Sequence, residues 1–119
     1  DNLFCLFNKV ADAVAASQEI NEHLRAANVV LPVEQHLYAS FGIGYGKILN
    51  IANEDIFGDE VNLASKLGED IADKGEILLS SAAMANLEGS EIGMREGNIS
   101  ISGISLVYYT VEENVKENL

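Results

Sequence analysis

The hydrophobic positions of this chain change period several times, and each change marks an element. Residues 3–7, Leu-Phe-Cys-Leu-Phe, are an unbroken apolar run that reads as a short buried strand. The period then becomes helical: Val10, Ala13, Val14, Ser17, Ile20 and Leu24 recur at intervals of three and four, with Glu19, Glu22 and Arg25 elsewhere on the surface. Asn8 is the expected cap of that helix, which should end near Asn28, ahead of Pro32. From Leu37 the period drops to two: Leu37, Ala39, Phe41, Ile43 and Tyr45 alternate with Tyr38, Ser40, Gly42, Gly44 and Gly46. Glycines at alternate strand positions let something approach the backbone closely, either a packed helix or a ligand. The run Gly-Ile-Gly-Tyr-Gly is not a dinucleotide-binding loop, because that motif must open a helix and residues 47–50 read as a continuing strand.

In the second half, residues 53–55 form a turn and Gly58 precedes a second helix, whose positive N-terminal end suits Asp59 and Glu60. Val61, Ala64, Gly68 and Ile71, helped by Leu67, can face a core, which leaves Asn62 and Lys66 on the other side. Residues 76–79 read as a strand, Ser80 or Ser81 caps a short helix through Leu87, and Gly89 stops it. Two more strands are expected at 91–95 and 105–111, followed by a polar tail over 112–119. This order predicts an α/β (α+β) domain over residues 1–111: a ferredoxin-like sandwich, with a mixed sheet and helices on one face. The chain opens at Asp1, inside an apparent strand and without a Met, so the first part of the domain is expected upstream.

Composition narrows the possible partners. A hydrophobic content of 48% with a single Pro fits a globular domain, and 119 residues allow one core. The net charge of -12 argues against a nucleic-acid surface or an anionic membrane, and a nucleotide would need metal ions or a locally basic partner surface. Cys5 is the single cysteine, which excludes an intrachain disulfide, and within its apolar run it reads as a core residue. Neither His23 nor His36 sits in a triad pattern, and no run approaches the ~18 apolar residues of a membrane span. Asn62 and Lys66, one helical turn apart, are the most deliberate pairing of a neutral hydrogen-bonding group with a cation. Spacing by itself fits a solvated helix face better than a site, since Lys66 can pair with Asp70 and Asp70 with Lys74.

Three ordered blocks change that balance. Asp-Asn-Leu-Phe-Cys-Leu-Phe at residues 1–7, Phe-Gly-Ile-Gly-Tyr-Gly-Lys-Ile-Leu at 41–49 and Glu-Asp-Ile-Phe-Gly-Asp-Glu-Val-Asn-Leu-Ala-Ser-Lys-Leu at 54–67 resemble the C-terminal two-thirds of a class III nucleotidyl cyclase catalytic domain. Residues 74–81 fit the strand that follows in that family. The resemblance implies that Asp1 matches the second of two metal-binding aspartates, the first lying upstream, and that two Mg2+ or Mn2+ ions are held there. It implies that Asp55 accepts a hydrogen bond from the adenine amino group, that Asn62 orients the ribose, and that Lys66 stands where the family has a transition-state arginine.

The implied reaction is the conversion of ATP to cyclic AMP and pyrophosphate, by in-line attack of the ribose 3'-hydroxyl on the α-phosphorus. Its sites would be composite, formed between the two copies of a homodimer. Asp55 is the one residue that favours ATP over GTP. Hard carboxylates suit divalent ions that acidify the attacking hydroxyl and neutralise phosphate. Asn62 would contribute positioning and residue 66 fixed positive charge. A cytoplasmic location, within a larger sensory or membrane protein, goes with the same resemblance. Two positions depart from the family: lysine at 66 lacks the planar guanidinium fork, and Ser102 stands where many members carry a basic residue for the terminal phosphate. These departures define the alternative, a catalytically degenerate cyclase-like module that dimerises or regulates.

Overall fold

The computed structural model describes residues 2–51, 55–88 and 92–112, with Asp55 described by its backbone alone. Helix α1, Val10–Val29, buries a stripe of Val10, Val14, Ser17 and Asn21. That stripe keeps helical spacing but passes through two polar residues rather than through Ile20, which is 45% exposed. Both polar groups are satisfied: the Ser17 hydroxyl donates to the Ala13 carbonyl, and the Asn21 amide donates to the Gly75 carbonyl at 2.8 Å, tying α1 to the next crossover. Lys9, not Asn8, occupies the cap position, and no side chain caps the helix.

Strands β1 (Phe41–Ile43), β4 (Ile77–Ser80), β5 (Met94–Ile101) and β6 (Ile104–Val111) form one sheet in the order β1-β4-β6-β5. β1 runs parallel to β4, and the β4–β6 and β6–β5 pairs are antiparallel, so the sheet is mixed as the sequence predicts. Two short strands, β2 (Leu49–Ile51) and β3 (Asp55–Phe57), make a separate antiparallel hairpin. β4 is buried along its whole length, with Leu78 and Leu79 at 1% and 0% exposure. Ile77 and Leu79 join Ile43, Val111, Val10 and Val14 of α1 and Ala83 of helix α3 (Ser81–Ala85) in the principal core. The expected one-sided covering therefore holds for α1 and α3. Helix α2 (Asp59–Lys66) lies against the alternate positions of β1, on its other side.

The glycines of β1 explain that placement. A Cβ on Gly42 would overlap the Ala64 carbonyl oxygen, and one on Gly44 would lie 2.6 Å from the Glu60 carbonyl oxygen. Of the two occupants the glycines could admit, the structure shows the packed helix. Gly68, in the π-helical turn Leu67–Ile71 that continues α2, completes the contact against Gly42.

Five expectations are corrected. Residues 3–7 form no strand, and Leu3, Phe4, Leu6 and Phe7 are 48–85% exposed because no described strand lies beside them. Cys5 is accordingly exposed rather than part of the core. The long strand over 37–50 divides into β1 and β2 with an irregular stretch between, and β5 extends to Ile101 where only 91–95 had been expected. The short helix α3 stops at Ala85, short of Leu87, and its cap is Ser80, whose hydroxyl accepts the Ala83 amide at 3.1 Å.

Candidate functional site

The candidate site is built on α2 and the hairpin that feeds it. β2 and β3 pair Leu49 with Phe57, Asn50 with Ile56 and Ile51 with Asp55, which fixes the backbone of Asp55 seven residues ahead of Asn62. Gly58, at φ 154°, turns the chain from β3 into α2 in a conformation that L side chains rarely adopt, and its carbonyl accepts the Asn62 amide at 3.1 Å. Asp59 and Glu60 in the first turn and Lys66 in the last complement the helix dipole.

Asn62 and Lys66 are both exposed on one face of α2, as their spacing predicts. The Lys66 ammonium pairs with Asp70 at 2.7 Å, each side chain about half exposed. This hydrogen bond, then the Asp70 charge, holds the Lys66 pKa above its ordinary 10.5, with desolvation opposing and Glu69 adding to the rise. An ammonium carries three N–H donors, so one committed to Asp70 leaves two for an incoming anion. Asp70 thus restrains the lysine while diluting its charge. Lys74 does not pair with Asp70 as the solvated-face reading supposed; its ammonium lies 4.9 Å over the Tyr38 ring.

Asp1 lies outside the described residues, as does the side chain of Asp55, so of the four site residues the structure brings together Asn62 and Lys66. Asn2 donates to Glu69 Oε1, which ties the segment following Asp1 to the turn beyond Lys66. No group of three or more His, Cys, Asp or Glu side chains converges as a metal site among the described residues. Ser102 sits at the tip of the β5–β6 hairpin, where Ser102 (φ 51°) and Gly103 (φ 79°) supply the two left-handed residues of a tight two-residue turn.

Glu60 does more in this region than its place at the helix start indicates. Glu60 was expected only to favour the helix N-terminus, yet its Oε1 accepts the Tyr45 amide at 3.0 Å and the Ser80 hydroxyl at 2.5 Å. These partners lie 15 and 20 residues away, where no local pattern announces them.

No protein-family model matches the chain. It is 28% identical over 89 residues, 75% of its length, to a protein of Rhizobium meliloti (strain 1021) named "Putative adenylate cyclase 3", of which it spans 15%. Among solved structures it resembles an adenylate/guanylate cyclase/hydrolase from Silicibacter pomeroyi, with a TM-score of 0.74 and 22% identity, covering 91% of this chain and 65% of that one. It also resembles the adenylyl cyclase CyaB from P. aeruginosa, with a TM-score of 0.57 and 26% identity, covering 90% of this chain and 58% of that one. The chain therefore spans less than two thirds of each of these proteins.

Proposed function

Because the fold is similar to that of solved cyclases and three ordered sequence blocks resemble a class III cyclase domain, we propose that this chain is the catalytic part of an adenylyl cyclase. Its reaction is the conversion of ATP to cyclic AMP and pyrophosphate. The observation that carries the reading is the joint exposure of Asn62 and Lys66 on a helix pinned against glycine backbone.

Each residue has a defined part. The Asn62 amide offers both a donor and an acceptor to the ribose, which fixes the 3'-hydroxyl in line with the α-phosphorus. Lys66, tethered by Asp70, sets two N–H donors and a positive charge where negative charge grows on the phosphorus oxygens. Asp55 accepts the adenine amino group, a donor that guanine lacks at the same ring position. Asp1, together with an aspartate on an upstream strand, would hold two Mg2+ or Mn2+ ions, which lower the pKa of the attacking hydroxyl and neutralise the triphosphate. With a net charge of -12 the chain depends on such ions to accept a tetra-anionic substrate.

The partner proposed is a second copy. Leu49, Ile51 and Phe57 share one face of the β2–β3 hairpin and are 58%, 51% and 51% exposed, a row of apolar side chains beside the proposed base-binding residue. No helix among the described residues is long and apolar enough to cross a membrane, and a cytoplasmic setting is proposed with the activity.

The test is turnover by the complete protein, upstream metal aspartate included, with Mn2+ and either ATP or GTP, each product resolved chromatographically. Cyclic AMP should predominate, and Asp55→Ala should erase the preference while leaving measurable turnover. Equal use of both nucleotides by the unaltered chain would contradict the assignment of Asp55. A dimeric protein that forms neither product would instead favour the degenerate module, the reading to which Lys66 and Ser102 lend support.

A further inference from the structure

The Glu60 carboxylate joins three segments of the chain, and through Ser80 it reaches a fourth. Its Oε1 accepts the amide of Tyr45, in the irregular stretch after β1, and the hydroxyl of Ser80, the last residue of β4. Ser80 is 1% exposed, and its oxygen accepts the Ala83 amide at the start of α3. A hydroxyl has one proton, and with an Ala83 donor on its oxygen that proton is directed at Glu60. The 2.5 Å separation lies in the range of a charge-assisted O–H···O⁻ bond. The Glu60 side chain also packs beside the backbone of Gly44 and Gly46, where a Cβ would lie 3.2 and 3.0 Å from it.

We infer that Glu60 is a positioning residue for the proposed cyclase reaction: by latching the first turn of α2 to β4 and to the Tyr45 amide, it sets where Asn62 and Lys66 stand. The inference rests on the cyclase reading for what α2 presents, and on the hydrogen bonds alone for the latch. Asn62 follows Glu60 by two residues on a rigid helix, and Lys66 by six. Gly42 and Gly68 hold the C-terminal half of α2 against β1, but glycine contacts by themselves permit sliding along the strand. A carboxylate bonded to the Tyr45 amide beyond β1 and to the Ser80 hydroxyl at the end of β4 stops that slide at the end from which Asn62 projects. Aspartate, one methylene shorter, would not reach both donors, whereas glutamine keeps an oxygen in the same place.

The experiment uses the complete protein, upstream metal aspartate included, and its Glu60→Ala, Glu60→Gln and Ser80→Ala variants, with amide exchange at Tyr45 and steady-state kinetics on Mn2+-ATP. In Glu60→Ala the Tyr45 amide should exchange about tenfold faster. Its kcat should fall at least tenfold, on the order expected for misplacement of a reacting group, with KM within about threefold. Glu60→Gln should restore exchange and kcat to within about threefold of the unaltered chain, and Ser80→Ala should lower kcat in the same direction as Glu60→Ala. Unchanged exchange at Tyr45 in Glu60→Ala would overturn the latch. Faster exchange with unchanged kcat, or no rescue by glutamine, would overturn the positioning role. Should Glu60→Ala fail to fold, Glu60→Gln and Ser80→Ala carry the same comparison. An unaltered complete protein, upstream metal aspartate included, that forms no cyclic nucleotide would overturn the cyclase reading and the positioning role with it, while Tyr45 exchange would still report on the latch.

Discussion

Lys66 shows how a single side chain can serve two readings. Its pair with Asp70 is what an i,i+4 spacing provides on any solvated helix, and that much was legible in the sequence. Placed four residues after Asn62 on an exposed face, the same ammonium is a candidate for the charge that a cyclase sets against the α-phosphate. Its pKa is raised, so the cation is complete at any ordinary assay pH. Whatever the Asp70 pair adds to stability is present below 10.5 and is lost as pH rises through the higher folded-state value. Lys66→Met should therefore lower kcat at least tenfold, about the effect of removing one transition-state donor, without any shift in the neutral-range pH profile. Lys66→Arg, which supplies the missing fork, should raise kcat. An unchanged kcat in Lys66→Met would leave this residue on a merely solvated face. Glu60, by contrast, was legible only as an acidic residue at a helix start, since its partners come from distant segments.

At the scale of elements, α2 and β1 were foreseen in outline, and the fit between them was not. Alternating glycines at 42 and 44 announce a close approach, but nothing local says that the neighbour is a helix arriving from residues 60–68. The same fit explains why β1 ends early. The Tyr45 amide is spent on Glu60 rather than on a neighbouring strand, so the period-two pattern continues in sequence beyond the point where pairing stops. β5 runs further than expected for a different reason: Gly97 interrupts the apolar pattern, and Ile99 and Ile101 beyond it alternate with Asn98 and Ser100 in an outer half held by pairing with β6 across the Ser102–Gly103 turn. Gly42→Ala should cost about 1–3 kcal/mol, the range for overpacking, and should do so by displacing α2. Denaturant titration measures the first effect, and a loss of Asn62-dependent activity beyond the loss of folded protein reports the second.

The whole molecule presents a contradiction that the proposed second copy would resolve. It is strongly acidic, yet it leaves Leu49, Ile51 and Phe57 bare on one hairpin face and Leu3, Phe4, Leu6 and Phe7 bare near its start. The apolar run at 3–7 was legible as hydrophobic but not as exposed, because burial of a strand depends on a neighbour that no local pattern specifies. Association through the hairpin should strengthen with ionic strength, since salt screens the repulsion between two chains of like charge while leaving apolar burial intact. Sedimentation velocity at low and high salt should show that shift, and Phe57→Ser should move the distribution towards monomer with a parallel loss of turnover. A monomeric protein with full activity would contradict the composite site.

If the polar face of α2 performs chemistry, cyclic AMP formation from Mn2+-ATP in the complete protein depends on Asn62, and the comparison is with its Asn62→Ala variant at matched folding and dimer content. Loss of an oriented ribose should lower the rate at least tenfold, toward the ~10²-fold typical of a displaced reacting group. An active protein whose rate is indifferent to Asn62→Ala would contradict the account.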